Sequence, residues 1–274
     1  MHHFVVLAFF LFPLTLFAQY TIKDAANESS VPYATVIITG TSIGTVADAE
    51  GRFYLSPTPG TDSIRVSAVG YTTARFALRG LSSDSPLLLQ PASYSLRSVE
   101  VNSSAFTKTK KVGSAQKSDK LVCRFLHGQE GEQIGRRLRL GKESFAQSAR
   151  VSVVITNADS VLCRLRFYPD SGDSISTVAV PHPDVLLTIS GVEVIDIDLR
   201  PYEIILPENI IMAVELLSLP DPDQSLYFGG AVFKPNAIYR EHEAAPWREG
   251  KTAKKKGKRG LLTLAPAFEL TVLR

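Results

Sequence analysis

The chain has 274 residues, 45% hydrophobic and 21% charged, with 18 Gly, 16 Pro, two Cys and one Trp. That composition supports one or two ordinary cores and excludes a disordered tail. The net charge of +3, from 30 basic and 27 acidic residues, excludes a generally basic nucleic-acid binder and a generally acidic tail.

The first element is an apolar run from Val5 to Phe17, broken by Pro13 and preceded by His2 and His3, with Ala18 placing a small residue before Gln19. This pattern predicts a secretory signal peptide over residues 1–18. The run is shorter than the roughly 20 apolar residues a spanning helix needs, and no later run is long and apolar enough to span a membrane as a helix. No Cys stands at the cleavage point to take a lipid. The mature chain is therefore expected to start at Gln19 and to work in the periplasm, at the outer membrane or outside the cell.

Residues 19–101 form the first domain. Its short apolar segments are Ala34 to Ile38, Arg52 to Leu55, Ser63 to Val69, Pro86 to Leu89 and Ser98 to Val101, separated by turn residues. Such spacing predicts a β-sandwich. Ile64, Val66 and Ala68 share one face while Ser63, Arg65 and Ser67 share the other, the pattern of a half-buried strand. Gly44 to Ala47 and Arg52 to Leu55 are expected to pair as a hairpin, with Asp48 bonding the turn backbone and Gly51 at positive φ. Asp48 and Glu50 as calcium ligands fall short of the six to eight oxygens that ion takes. Gly70 is expected to mark a bulge that turns Tyr71 inward, its hydroxyl on a backbone partner.

The ordered set Val31-Pro32-Tyr33-Ala34-Thr35-Val36, Gly40-Thr41-Ser42-Ile43-Gly44-Thr45, Asp48-Ala49-Glu50-Gly51-Arg52-Phe53 and Val69-Gly70-Tyr71-Thr72-Thr73 resembles the carboxypeptidase-like regulatory domain. Pro32, Ala34, Gly44, Asp48, Gly51, Phe53, Gly70 and Tyr71 carry the structural motif. The sequence departs from the family at Thr21, where a leading Gly is usual, and at Asn27 to Ser30, which replace a Thr-Gly turn. The resemblance implies a transthyretin-like, immunoglobulin-like sandwich with no catalytic residues of its own. Such domains follow the catalytic domain in some zinc carboxypeptidases and open many Gram-negative envelope proteins, notably ahead of the plug of TonB-dependent receptors. Leu96 to Val101 resembles the strand leading to such a plug, but the residues that follow are too few for a plug and a receptor-sized barrel.

Residues 102–120 hold Ser, Thr, Gly and Lys108, Lys110, Lys111, Lys117 and Lys120 among scattered apolar residues, a composition that predicts a linker.

Residues 121–274 return to the strand pattern: Leu121 to Leu126, Ile134 to Leu140, Arg150 to Thr156, Val161 to Tyr168, Val192 to Leu199, Asn209 to Leu217, Leu226 to Phe233 and Leu261 to Leu273. A second, jelly-roll-like sandwich is expected. A membrane barrel would show regular ten-residue alternation with aromatic girdles, whereas Ile210 to Val214 is a continuous apolar run suited to a buried strand. Cys123 alternates with Leu121 and Phe125, and Cys163 with Val161, Leu165 and Phe167, so both sulfurs face the core. There they either pair in an oxidising compartment or stay buried thiols.

His127-Gly128-Gln129-Glu130, with His242, offers a His-x-x-Glu pair and a third ligand for zinc. A zinc hydrolase needs three ligands on a rigid scaffold plus an open position. This pair lies in a Gly-rich turn between strands, the residues after it lack the helices of an α/β carboxypeptidase, and in that family the regulatory domain comes second. Residues 127–135 therefore read as a polar loop. Gly-x-Ser-x-Gly, phosphate-loop and Cys-x-x-Cys motifs do not occur. The acidic pairs Asp196 with Asp198 and Asp221 with Asp223 read as solvated positions.

Lys251, Lys254, Lys255, Lys256, Lys258 and Arg259 turn an otherwise acidic balance positive, just after Trp247. They read either as a solvated hairpin loop or, through Lys254, Lys255, Lys256, Lys258 and Arg259, as a patch for lipid phosphates or acidic glycans of an envelope surface. Nucleic acid is not an expected partner. The sequence thus predicts an all-β protein of two β-sandwich domains, without a cofactor or metal. Its expected role is a non-enzymatic structural or interaction module of the bacterial cell envelope, partnered by an envelope protein, TonB-linked or not, or by a glycan. A carbohydrate-binding module using Trp247 and loop tyrosines is the alternative, and a zinc carboxypeptidase the weakest reading.

Overall fold

The computed structural model describes residues 19–41, 43–56, 59–92, 106–115, 121–219, 224–232, 237–250, 253–254, 261–262 and 264–274. The signal segment, the expected strand Ser98 to Val101, Asp221 and Asp223, and Lys255, Lys256, Lys258 and Arg259 lie outside the described residues. The chain is all-β and forms two β-sandwiches. No helix among the described residues is long and apolar enough to cross a membrane.

The first sandwich has strands β1 (Gln19–Asp24), β2 (Thr35–Ile38), β3 (Gly44–Val46), β4 (Arg52–Tyr54), β5 (Ser63–Ser67), β6 (Ala74–Ala77) and β7 (Leu87–Leu89). They form a three-stranded sheet, β4-β1-β7, and a four-stranded sheet, β3-β2-β5-β6. Ile22, Phe53 and Leu89 from the first and Val36, Ile38, Ile64 and Val66 from the second meet in a solvent-excluded core. Each such side chain contributes roughly 1.5–3 kcal/mol by leaving water.

The expected hairpin over Asp48 to Gly51 does not form. β3 pairs with β2 and β4 with β1, so the turn carries the chain from one sheet to the other. Its local chemistry follows the expectation: Asp48 Oδ1 accepts from the Glu50 and Arg52 amides, and Gly51 takes φ +73°. A Cβ at Gly51 would stand 2.6 Å from the Ile22 carbonyl oxygen, so the turn and the crossing strand are packed backbone to backbone. Gly70 has φ +84° in a turn, and Tyr71 packs against the core. The Tyr71 hydroxyl donates to Asp24 Oδ2 at 2.9 Å, so its partner is a carboxylate rather than the expected backbone group.

The second sandwich contains β8 (Thr109–Gly113), β9 (Val122–Arg124), β10 (Gln133–Arg139), β11 (Ser144–Thr156), β12 (Val161–Pro169), β13 (Val185–Ile189), β14 (Val194–Asp198), β15 (Ile205–Leu206) and β16 (Asn209–Ser218). It continues with β17 (Leu226–Val232), β18 (Ile238–Arg240), β19 (Arg248–Glu249), β20 (Ala253–Lys254), β21 (Leu261–Leu262), β22 (Leu264–Pro266) and β23 (Phe268–Leu273). One sheet has six strands in the order β13-β12-β16-β10-β18-β19. The other runs β22-β17-β11-β23-β8, with β14 and β15 on β11 and β9 on β17. The 13-residue β11 shifts register at Ala146/Ser148 and at Val153/Ile155, and such bulges let one long strand bend and serve several partners. Cys163, Leu165, Phe167, Met212 and Val214 on the six-stranded sheet pack against Val151, Val153, Phe268 and Leu270 on the other.

One expectation is corrected here, and one pair of alternatives is decided. The segment read as a linker supplies β8, which pairs along β23 from Gly113 to Thr109. Val112 packs on the core and Lys110 Nζ donates to the Leu140 carbonyl at 2.8 Å, so a strand with Lys110 and Val112 on one face and Lys111 on the other still gains a ladder and an apolar contact. Cys123 and Cys163 are buried in one core, as their alternation predicts, but they are free thiols on opposite sheets, β9 and β12, and no disulfide joins them.

Candidate functional site

The outer face of the six-stranded sheet is set by strand alternation. With Cys163, Leu165 and Phe167 inward, Arg164, Arg166 and Tyr168 point the other way. Register then aligns Arg164, Glu215, Gln133 and Arg240 in one row across β12, β16, β10 and β18. All four are at most 1% exposed. Glu215 Oε2 accepts from Arg164 Nε at 2.9 Å and from Arg166 Nε at 3.2 Å, and Gln133 Oε1 accepts from Arg240 Nε at 3.1 Å. The Arg240 guanidinium lies 4.4 Å from the Tyr168 ring centre and 4.5 Å from that of Trp247. Burial alone would raise the Glu215 carboxyl, but Arg164 and Arg166 outweigh it and hold it at about 2.

The first sandwich meets this row at Arg164 and docks beside it. Arg164 Nη1 donates to the Tyr33 carbonyl at 3.1 Å, Ser67 Oγ donates to Glu243 Oε2 at 2.6 Å, and Thr45 Oγ1 donates to Glu130 Oε2 at 3.2 Å. The Glu243 carbonyl in turn accepts from Arg240 Nη1 at 2.9 Å. A Cβ at Gly44 would lie 3.0 Å from the Val36 carbonyl oxygen and 3.8 Å from the His242 Cβ, so β3 runs close beneath the turn that follows β18.

Beside this docking surface lies a cleft of about 520 Å³. Its floor is a second cross-strand row, Ile37, Arg65 and Arg75, on β2, β5 and β6. Thr39 and Thr41 join them from the first sandwich, and Glu241, His242, Ala244, Ala245, Pro246 and Arg248 close it from the second. Arg248 Nη1 is engaged by Glu241 at 3.2 Å. Arg65 and Arg75 have no ion pair among the described residues. Arg65 Nη2 and Thr39 Oγ1 are occluded from solvent without a hydrogen bond. The cleft is thus cationic, open and walled by small apolar side chains, a setting for an anionic ligand.

The residues singled out from the sequence fall elsewhere. Ala34 and Phe53 are core, Pro32 is exposed in a turn, and Asp48 and Glu50 both pair with Arg52 at 3.0 and 2.9 Å. In the His-x-x-Glu pair, His127 is exposed, while Glu130 is claimed by Thr45 and pushed up in pKa by burial. His242 is buried under the interface, with Nδ1 accepting from the Ala244 amide. Among the described residues no group of three metal-ligating side chains forms. Glu132 anchors the loop instead, accepting from the backbone amides of Leu126, His127 and Gly128. Asp196 pairs with Arg150 at 2.7 Å and Asp198 with Arg200 at 2.7 Å. Lys254 belongs to a two-stranded ribbon, where it pairs with Leu261. Trp247 gives a ring face to Arg240 and its Nε1–H to the Ser176 carbonyl at 3.2 Å, so one face of the half-buried ring expected to stack on a sugar is already taken.

Sequence reading placed Arg65 on the outward face of β5 and passed over Arg75, Arg164, Arg166, Arg240 and Glu215. The available signal was Arg164-x-Arg166 inside an apolar strand and Glu215 closing the run Ile210 to Val214, since charges in such segments stay buried only when paired.

The arrangement is that of a smaller sandwich docked on a larger one, with the arginine-lined cleft at the seam. Residues 21–101 match the family of the CarboxypepD_reg-like domain, so the first sandwich is a carboxypeptidase-like regulatory domain. No curated protein and no solved structure matches the chain.

Proposed function

We propose that the protein is a non-enzymatic, exported interaction module of a bacterial cell envelope, in which the regulatory-type domain and the second sandwich act as one ligand-presenting body. The observation that carries this reading is the docking of the two sandwiches through Arg164, Ser67 and Thr45 beside an arginine-lined cleft. A domain type without catalytic residues of its own, fused to a second sandwich, supports recognition rather than turnover. The apolar run before Gln19 supports export.

The test is cross-linking of the tagged full-length chain in intact cells of its source, followed by capture and mass spectrometry. One reproducible envelope partner is the expected result. Metal-dependent peptide hydrolysis by the purified chain, lost on His127→Ala, would sink the proposal.

A further inference from the structure

We infer that the cleft between the sandwiches binds an extended acidic segment of a polypeptide, which adds to the free edge of β6 and seats a carboxylate between Arg65 and Arg75. This rests on the interaction-module reading and names the chemistry of its ligand.

Arg65 and Arg75 are direct cross-strand partners, and like charges placed opposite each other on a sheet disfavour the fold. Neither is neutralised among the described residues, whereas Arg248 already has Glu241 and Glu243 already has Ser67. The seam therefore carries two cations without a counter-charge. The occluded Arg65 Nη2 and Thr39 Oγ1 lack hydrogen bonds, and unpaired buried polar groups cost stability until a partner arrives. A carboxylate supplies acceptor oxygens in the geometry a guanidinium fork prefers.

The backbone decides the ligand class. β6 ends the order β3-β2-β5-β6, so its outer N–H and C=O groups are free among the described residues. Open edges recruit extended peptides, with main-chain bonds giving affinity and alternate side chains giving specificity. A residue of the added strand opposite Arg75 would extend the row Ile37, Arg65, Arg75 and point into the cleft. An acidic side chain there meets both arginines, while its immediate neighbours in the added strand point to the opposite face, alongside Ala74 and Phe76 of β6. An acidic sugar would satisfy the arginines but leave the β6 edge unused.

The experiment is fluorescence anisotropy of the chain from Gln19 to Arg274 with a short labelled peptide of alternating Glu and Val. The expected result is saturable binding that weakens with added salt and falls roughly tenfold or more for Arg65→Gln and for Arg75→Gln. The Gln-Val peptide and a Glu-Val peptide N-methylated on alternate amides should not bind. Arg75→Glu, an exposed substitution compatible with folding, should abolish binding of the Glu-Val peptide, because the new carboxylate pairs across the strands with Arg65. Equal binding by the Gln-Val peptide, or affinity unchanged in both arginine variants, overturns the proposal. Binding of oligogalacturonate with none of the Glu-Val peptide overturns it in favour of an acidic glycan, and undiminished binding of the N-methylated peptide removes the strand addition. Envelope-partner capture that persists in an Arg65→Gln, Arg75→Gln chain leaves the interaction-module reading standing while overturning this one.

Discussion

Arg164, rooted in the middle of β12, donates from Nη1 to the main-chain carbonyl of Tyr33 in the other sandwich at 3.1 Å. The same guanidinium holds Glu215 through Nε, so one side chain takes part both in the charge balance of its own domain and in the docking of its neighbour. Removing Glu215 leaves Arg166 buried without its carboxylate and Arg164 with only the partly exposed Asp184, whose Oδ2 lies 3.1 Å from Nη1. Glu215→Gln is expected to lower stability by about 3–5 kcal/mol, read by urea unfolding. The triple change Arg164→Met, Arg166→Met, Glu215→Leu, which removes the carboxylate together with both guanidinium groups on it, should recover part of that loss. A cost for Glu215→Gln below about 1 kcal/mol, the range of an exposed pair, would contradict a buried network.

The same carboxylate sets an acid limit. Its folded pKa of about 2 lies below the roughly 4.3 of an unfolded Glu. Its stabilisation is therefore complete above the unfolded value and is lost as pH falls through the folded one. Thermal unfolding followed by circular dichroism should show a falling midpoint between those two values, and Glu215→Gln should lose that component of the pH dependence.

Glu130 has the opposite sign. Burial pushes its carboxyl up, against the Thr45 hydroxyl and the Val46 amide that bond the charged form. A carboxyl raised by folding takes up a proton in the folded state, so its cost is present at neutral pH and disappears as pH falls through the raised value. Glu130→Gln keeps an acceptor for Thr45 and removes the charge. The variant should melt higher than the parent at pH 7, and the two should converge in acid; a lower melting point at pH 7 would show that the charge itself holds the interface.

Cys123 is pushed up to about 12 by burial, with Arg136 opposing, and Cys163 is also raised by burial. Because the thiolate is the reactive form, neither should react with a disulfide reagent in the native protein at neutral pH, and both should react once it is unfolded in denaturant. A Cys123–Cys163 cross-linked peptide recovered from non-reduced protein would contradict the placement of the two sulfurs on opposite sheets.

Gly51 and Gly60 both have positive φ, +73° and +86°, but only Gly51 has a carbonyl in the way of a Cβ. Gly60→Ala should cost roughly 1 kcal/mol for the backbone alone. Gly51→Ala should cost measurably more, because the Ile22 oxygen at 2.6 Å forces β1 to shift. Equal losses in parallel denaturation curves would mean that the turn moves freely away from β1.

By itself the sequence determined the fold class, most strand positions, and the burial of Ile64, Val66, Cys163 and Phe167, because alternation is a local property that states which side chains share a face. It also determined the Asp48 to Gly51 turn, whose Asx bonds and positive φ are made within four residues. Only the tertiary structure decided that β3 and β4 part into different sheets, that Thr109–Gly113 is a strand on β23, and what lies over each outer face. A face carrying Arg164, Arg166 and Glu215 reads as solvated in one dimension; it is buried because Asp184, Trp247 and the Tyr33 backbone of the other sandwich, all distant in sequence, meet on it. The row Arg65 and Arg75 became a cleft for the same reason, since a binding site at a seam belongs to neither strand pattern alone but to the long-range packing that brings both walls together.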